Sequence, residues 1–282
     1  MKILVVGLGL MGGAYAYKLK NVGHTVYGVD INNDSVKYGI ENNFIDDGGI
    51  EAKDFILKSD LIILAFYPKQ IVEFLKKYNK YFNENQIITD IAGIKSCFVE
   101  EAMKYALPAT YISHHPMAGK EKIGIEYSKL VNFKNSNFLI TITKDTKEEK
   151  IEIIEKLARD LEFGKITKLD IYEHDNFIAF TSQLPHAIAV SLMNCNVSKD
   201  IINCVGDSFK DFTRIARINE KLWTELFINN KEYLINKIND FEKELDRIKD
   251  SLISENKDTL NDMFKLATKT RKEMDENEGT KN

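Results

Sequence analysis

Short apolar runs alternate with helical patterns along the first 168 residues of the chain. Residues 3–6 are apolar at every position, which is typical of a strand buried on both faces of a parallel sheet. Further strand-like runs stand at residues 25–29, 61–65, 87–89, 111–112, 139–142 and 166–167. Helical patterns separate several of them, near residues 69–79, 97–105 and 147–161. The alternation predicts a doubly wound α/β domain built on a parallel sheet.

The strand pattern stops after residue 170, and the remainder of the chain has helical periodicity. One apolar stripe keeps the spacing 7, 4, 3, 4, 3 and 4, and it consists of Phe227, Leu234, Ile238, Phe241, Leu245, Ile248 and Leu252. Such an a/d stripe packs either within its own domain or between subunits, and we expect a subunit interface. We therefore predict an α/β domain over residues 1–168, an all-helical dimerisation domain over residues 169–282, and a homodimer.

The chain has 282 residues, 44% of them hydrophobic and 29% charged, which suits a globular protein with a sizeable core. Its net charge of −4 provides no basic field, so we expect a small-molecule partner, not nucleic acid or a membrane. No apolar run approaches the ~20 residues of a membrane span and no signal-peptide cleavage region follows Met1, so we expect a cytoplasmic protein. Cys97, Cys195 and Cys204 lack metal-ligand spacing, which predicts buried, reduced thiols and no metal site.

A glycine-rich loop follows the first predicted strand directly. It has the spacing GxGxxG and consists of Gly7, Leu8, Gly9, Leu10, Met11 and Gly12. Between a strand and a helix, such glycines allow a tight turn and close approach of the backbone to a pyrophosphate, while the helix N-terminus supplies amide donors. Asp30 ends the second predicted strand, placed to bind the adenosine ribose, and no arginine or lysine within residues 31–35 would neutralise a 2′-phosphate. The sequence thus predicts a Rossmann-type domain that binds NAD rather than NADP.

Two adjacent histidines, His114 and His115, supply a candidate proton acceptor. They follow a predicted strand, as do residues 89–96, and ligands of such sheets bind outside the carboxyl ends of the strands. Oxidation of an alcohol by a nicotinamide needs a side chain that takes the hydroxyl proton, and the ordinary histidine pKa of ~6.5 suits that task. Adjacent loop residues seldom share a direction, so we expect one histidine to face the substrate and favour His115.

Five motifs in order give the chain a resemblance to a known family. Besides the glycine loop they are residues 89–96 (TDIAGIKS), 115–119 (HPMAG), 174–186 (HDNFIAFTSQLPH) and 209–223 (FKDFTRIARINEKLW). Together they resemble the prephenate/arogenate dehydrogenase family over residues 1–225. The resemblance implies an oxidoreductase of aromatic amino acid biosynthesis that makes 4-hydroxyphenylpyruvate from prephenate, on the way to tyrosine, by NAD-dependent oxidative decarboxylation.

The resemblance also implies roles for individual residues. His115 corresponds to the catalytic histidine of HPMAG, and Arg214 to an arginine that binds a substrate carboxylate. His186 is expected to line the same pocket. His174 either touches the substrate or simply begins a helix with Asp175 as its cap. The substrate is thereby expected in the cleft between the two domains, with Arg214 contributed by the helical domain.

Two positions depart from the pattern of the family. Gly93 stands where the family commonly has a serine, so the hydroxyl expected to orient the catalytic histidine is missing. Ser96, Ser113 or a water molecule would have to take its place, and we count both serines among the candidate substrate-site residues. Lys120 stands where threonine or serine often follows HPMAG, and it adds a cation near the expected pocket mouth.

Other functions stay open at this point. Arogenate differs from prephenate only in carrying an amino group for the keto group of the side chain. β-Hydroxyacid dehydrogenases and imine reductases share the glycine spacing, but they need a lysine or aspartate motif that residues 183–186 do not match. A non-catalytic NAD-binding sensor is favoured by one feature only, the absence at Gly93 of the serine that is common in the family. We expect a minimal two-domain form, with no appended regulatory domain and no fused mutase.

Overall fold

The computed structural model describes residues 1–120, 122–143, 146–195 and 198–279 of the chain. It divides into two compact units, Met1–Lys231 and Glu232–Asn282. The first unit begins with six strands, which are β1 (Lys2–Val6), β2 (Thr25–Val29), β3 (Asp47–Gly49), β4 (Leu61–Leu64), β5 (Ile87–Asp90) and β6 (Thr110–Tyr111). Six helices lie within the same α/β portion, which are α1 (Leu10–Asn21), α2 (Asn33–Glu41), α3 (Lys53–Ile56), α4 (Pro68–Tyr78), α5 (Val99–Ala106) and α6 (Glu148–Asp160).

The six strands form one parallel sheet in the order β3-β2-β1-β4-β5-β6. Successive side chains of a strand point to opposite faces, and β1 accordingly sends Ile3 and Val5 into one apolar cluster and Leu4 and Val6 into another. Both faces of the sheet are covered, which explains why residues 3–6 are apolar without alternation. The order reverses between β1 and β4, and the doubly wound Rossmann-type fold is confirmed.

A second, three-stranded sheet stands apart from the first. Its strands are β7 (His114–Pro116), β8 (Asn137–Thr141) and β9 (Lys165–Leu169). Strand β7 runs antiparallel to β8, with His115 opposite Leu139, and β9 runs parallel to β8. The adjacent histidines lie on strand β7 and not in a loop as predicted. Because side chains alternate along a strand, His114 and His115 must face opposite ways.

The helical part of the first unit contains α7 (Ile171–Ile178), a π-helical turn (Ala179–Gln183), α8 (Leu184–Cys195), α9 (Asp207–Thr213), a 3-10 turn (Arg214–Ala216) and α10 (Glu220–Asn229). Asp170 caps α7, since its carboxylate accepts hydrogen bonds from the amides of Tyr172 and Glu173. The alternative in which Asp175 caps this helix is therefore wrong. The prediction that the cysteines are buried is also wrong, because all three are free thiols on the surface.

The second unit contains α11 (Lys231–Ile253), apart from its first residue, and α12 (Lys257–Gly279). The predicted apolar stripe lies on α11 except for Phe227, which belongs to α10. On α11, Leu234 is buried, whereas Phe241, Leu245 and Leu252 are exposed in the single chain. Across the described ranges of the chain, no helix combines the length and the apolar character needed to cross a bilayer.

Candidate functional site

The glycine loop connects β1 to α1, and two of its three glycines are packed closely against the backbone. Gly7 has a φ of +91°, and a Cβ there would lie 2.6 Å from the carbonyl oxygen of Ala65. A Cβ at Gly12 would lie 1.8 Å from the carbonyl oxygen of Gly7, so neither position accepts a side chain. Around Gly9, by contrast, no atom lies within 4 Å of the added carbon. The open position at the N-terminus of α1 allows a phosphate to approach the backbone amides.

Asp30 lies beside this loop at the end of β2. Its Oδ2 accepts a hydrogen bond of 2.6 Å from the amide of Leu8, and its Oδ1 accepts one of 2.8 Å from the amide of Asn32. These bonds fix a half-buried carboxylate next to the glycine turn. Each oxygen keeps a further lone pair, which suits a pair of ribose hydroxyl donors.

His114 belongs to the core. Its side chain has no exposed surface, its Nε2 lies 2.9 Å from the hydroxyl of Tyr15, and its Nδ1 lies 2.6 Å from that of Thr89. Its ring stacks on Phe138 at 4.4 Å between centroids. Burial, assisted by the charge of Lys95, holds the pKa of His114 well below its ordinary value. Both ring nitrogens are used inside the protein, so His114 supports the fold.

His115 points the other way and is half-buried. Its Nδ1 lies 3.0 Å from the Nε2 of His174, and a Cβ built at Gly93 would lie 3.7 Å from its Nε2. Burial, followed by the neighbouring charges of His174, Lys95 and His114, holds the pKa of His115 well below its ordinary value. The imidazole is therefore uncharged at neutral pH and able to accept a proton.

Lys95 ties the strand of the histidines to the end of β5. Its Nζ donates to Oδ1 of Asp90 at 2.8 Å and to the carbonyl oxygen of His114 at 2.7 Å, and Asp90 also accepts from the hydroxyl of Tyr111 at 2.7 Å. Lys95 and Asp90 are fully buried. A buried ion pair of this kind is tolerated only when its remaining polar atoms are satisfied, as they are here. Sequence reasoning missed this role, although Asp90 and Lys95 are the two ends of the motif at residues 90–95.

Behind His115 lies a second pair, His174 and Asp175, both without exposed surface. The Nδ1 of His174 lies 2.7 Å from Oδ1 of Asp175, whose carboxylate also accepts from the amides of Lys95 at 2.9 Å and Ser96 at 2.7 Å. Burial alone would raise the pKa of Asp175, but His174 and Ser96 hold it below its ordinary value. Both ring nitrogens of His174 are thus engaged within the protein, one by Asp175 and the other by His115.

The two serines considered as substitutes for the missing hydroxyl lie in different places. Ser96 is connected to the site indirectly, because its backbone amide donates to Asp175. Ser113 is 1% exposed, and within the described part of the chain its hydroxyl finds no hydrogen-bond partner. Its carbonyl oxygen accepts from the amide of Thr141 at 2.9 Å. Ser113 is thus part of the sheet packing, and the position beside Nε2 of His115 is filled by neither serine.

Helix α10 connects this centre to the remaining predicted residues. Leu226 approaches Gly93, since an added Cβ there would lie 3.3 Å from its Cδ2. Trp223, three residues earlier on the same helix face, stacks on the ring of His186 at 3.7 Å between centroids. His186 is half-buried on α8 and its Nδ1 donates to the carbonyl oxygen of Ser182 at 2.8 Å. His186 therefore lies on the side of α8 that faces α10.

Arg214 lies in the 3-10 turn that packs against α8, and it is exposed. Lys120 is exposed as well. Asn230, at the end of α10, donates to the carbonyl oxygen of Asp175 at 3.0 Å and to Oε1 of Gln183 at 2.7 Å, which fastens α10 to α7. Sequence reasoning missed Asn230 and Leu226, because no motif in the chain marks residues past Trp223.

Comparisons with known proteins match both parts of the chain to one family. Residues 15–166 match the family model described as the nucleotide-binding domain of prephenate dehydrogenase. Residues 170–266 match the model described as its dimerization domain. The prephenate dehydrogenase of Bacillus subtilis is 26% identical over 275 residues, which cover 94% of this chain and 74% of that protein.

Solved structures of two further proteins are similar to nearly the whole chain. One is prephenate dehydrogenase from Aquifex aeolicus in complex with hydroxyphenyl propionate and NAD+, with 28% identity, a TM-score of 0.86, and coverage of 97% of this chain and 98% of that one. The other is Synechocystis arogenate dehydrogenase, with 25% identity, a TM-score of 0.84, and coverage of 97% and 100%.

Proposed function

Since the chain belongs to the prephenate dehydrogenase family, we propose that it oxidises prephenate with NAD and releases carbon dioxide to form 4-hydroxyphenylpyruvate. The observation that carries the proposal is the juxtaposition of His115 and Gly93. There, an uncharged imidazole lies beside a position that has no side chain. A substrate hydroxyl placed next to Nε2 on this side would meet a proton acceptor.

The glycine loop and Asp30 support NAD as the cofactor. Gly9 leaves room for the pyrophosphate at the N-terminus of α1, and the carboxylate of Asp30 is fixed where ribose hydroxyls would donate to it. When bound, NAD supplies the nicotinamide carbon that accepts a hydride. The similar Aquifex aeolicus enzyme was solved as a complex with NAD+.

His115 handles one proton during the proposed reaction. It takes the ring hydroxyl proton while the hydrogen on the same carbon leaves as hydride, which converts the alcohol to a ketone. The bond to the ring carboxylate then breaks, carbon dioxide leaves, and the electron pair of that bond makes the ring aromatic. The ring oxygen takes the proton back from His115, so no proton is released overall and the imidazole ends uncharged, as it began.

We further propose that Arg214 binds a carboxylate of the substrate. A guanidinium holds a carboxylate through two parallel hydrogen bonds, which an ammonium cannot reproduce. Arg214→Lys should therefore raise KM about 10-fold or more while leaving the affinity for NAD unchanged. Arg217→Lys is the matched control, because Arg217 is exposed just after the same 3-10 turn. Equal KM values for Arg214→Lys and the wild type would remove Arg214 from the site.

Arogenate is the second candidate substrate. It is supported by the similarity to Synechocystis arogenate dehydrogenase, whose TM-score of 0.84 is close to the 0.86 of the prephenate dehydrogenase. Initial rates of NAD reduction on purified prephenate and arogenate, compared as kcat/KM, separate the two. NADP in place of NAD should support much slower turnover, because the carboxylate of Asp30 repels a 2′-phosphate. An enzyme that turns over neither substrate would overturn the proposal and favour the non-catalytic sensor.

We also propose a homodimer formed through the helical region. The family model that matches residues 170–266 is that of a dimerization domain, and the apolar stripe of α11 is exposed at Phe241, Leu245 and Leu252 in the single chain. Light scattering should give about twice the chain mass of 32.4 kDa. A double variant, Phe241→Glu with Leu245→Glu, should move the mass to that of one chain, whereas exposed Lys243→Glu should not.

A further inference from the structure

We propose that His174 and Asp175 are positioning residues that fix the tautomer of His115, so that its Nε2 carries the lone pair and its Nδ1 the proton. The inference rests on the proposed function only in taking His115 as the proton acceptor. It assigns to a pair of buried side chains the orienting task expected of a serine at position 93, which is Gly93 in this chain.

The order of protons follows from the carboxylate of Asp175. An ionised carboxylate only accepts hydrogen bonds, and it does so here from the amides of Lys95 and Ser96 and from His174. The Nδ1 of His174 must therefore carry a proton. A neutral imidazole has one N–H, which leaves the Nε2 of His174 as an acceptor.

That acceptor decides the state of His115. The Nε2 of His174 and the Nδ1 of His115 are 3.0 Å apart, and a contact of that length between two nitrogens needs one proton. Since the Nε2 of His174 has none to give, the Nδ1 of His115 donates. The Nε2 of His115, on the side of Gly93, is left with a free lone pair for the substrate hydroxyl.

The opposite arrangement requires a doubly protonated His174, which would donate to His115 and turn its Nε2 into a donor. Several charged or titratable groups face His174: Asp175 on its own helix, Lys95 and Asp90 from the end of β5, and His115 from β7. Burial and Lys95 lower the pKa of His174, against the opposing effect of the carboxylates. The neutral form is therefore the one present at neutral pH, and it selects the tautomer.

Orienting His115 from its Nδ1 side also explains how the site functions without a side chain at position 93. A serine hydroxyl at position 93 would lie beside the Nε2 of His115, because a Cβ at Gly93 would lie 3.7 Å from that nitrogen. With the ring held through Nδ1, no side chain at position 93 competes with the substrate hydroxyl for Nε2. The loop that carries Gly93 is fastened to the same pair, because Asp175 accepts the amides of Lys95 and Ser96.

Nitrogen-15 NMR of histidine-labelled, ligand-free protein near pH 7.5 tests the assignment directly, because protonated and unprotonated ring nitrogens give distinct shifts. Wild-type His115 should show a protonated Nδ1 and an unprotonated Nε2. Loss of that tautomer is expected in His174→Leu, which has no acceptor, and retention in His174→Gln, whose amide oxygen accepts from Nδ1. A wild-type His115 protonated at Nε2, or an unchanged tautomer in His174→Leu, would overturn the proposal.

The kinetic consequence separates positioning from mere structural support. His174→Leu should lower kcat by roughly 10²-fold with KM for prephenate within about 2-fold, and His174→Gln should recover most of the loss. NAD affinity serves as the folding control for both variants. Equal kcat values for the two variants would refute positioning. If the wild type shows the expected tautomer but turns over neither prephenate nor arogenate, the proposed function fails while the tautomer assignment stands.

Discussion

At the scale of single residues, the two adjacent histidines differ only in what surrounds them. Both ring nitrogens of His114 form hydrogen bonds inside the core, with Tyr15 and Thr89. One ring nitrogen of His115 contacts His174, and the other lies beside Gly93. Strand alternation causes this division, because β7 presents consecutive side chains to opposite faces. Two neighbouring residues of the same type thus have different surroundings, and we propose chemistry for His115 and a structural role for His114.

Substitution of each histidine by asparagine should separate these roles. His115→Asn removes the proton acceptor and should lower kcat by roughly 10²- to 10⁴-fold, with little change in Tm. His114→Asn loses a ring that stacks on Phe138 and should lower Tm, while the surviving folded enzyme keeps most of its kcat. Steady-state rates and thermal melts of both variants measure this, and a larger kcat loss in His114→Asn would reverse the assignment.

At the scale of elements, Lys95 connects the end of β5 to the short strand β7. Its ammonium donates to the carboxylate of Asp90 and to the carbonyl oxygen of His114. Replacing Lys95 by methionine keeps much of the volume but leaves the carboxylate of Asp90 buried without its cation. The free energy of unfolding should fall by about 3–5 kcal/mol, as measured by urea denaturation.

A matched control is Lys76→Met. Lys76 pairs with Glu101 at the same distance of 2.8 Å, but about half of each side chain is exposed, so its loss should hardly change stability. The double variant Lys95→Met with Asp90→Asn should recover part of the loss, since no unpaired charge then remains. A Lys95→Met protein as stable as Lys76→Met would contradict a structural role for the buried pair.

How far the sequence predicts these elements depends on the range of the contacts involved. The burial of β1 on both faces is a local signal, four consecutive apolar residues, and the structure agrees. The strand character of residues 114–116 is not local, because it depends on pairing with β8, and the histidine motif looks like a loop by itself. The contact between His115 and His174 joins residues 59 positions apart, which no spacing rule predicts.

At the scale of the whole molecule, three of the described histidines share one electrostatic consequence. Burial holds the pKa of His114, His115 and His174 below its ordinary value. In an unfolded chain the same side chains take up protons near pH 6.5. Below that pH the unfolded state therefore binds more protons than the folded state, and the free energy of unfolding falls as the pH decreases.

Urea denaturation at pH 7.5, 6.5 and 5.5 should show this loss, with a slope of at most about 1.4 kcal/mol per pH unit for each proton taken up. Carboxylates with lowered pKa values, such as Asp175, add their own loss only near and below pH ~4. The slope should be shallower in His114→Asn, which has one buried imidazole fewer. Equal stability at pH 7.5 and 5.5 would contradict the burial of neutral histidines.

The π-helical turn between α7 and α8 has a consequence for insertions and deletions. His174 and His186 are twelve positions apart, which in a regular helix is about 3.3 turns and leaves them on different faces. A π-helical turn accommodates one additional residue, so the pair behaves as if it were eleven positions apart, or about 3.1 turns, and shares one face. Deletion of Thr181, an exposed residue of that turn, would make the helix regular and leave the pair eleven positions apart, still on one face. Deletion of a second residue from the turn would rotate His186 by roughly 100° relative to His174. The segment is therefore expected to tolerate the loss of one residue but not of two, independently of the identity of most side chains within it.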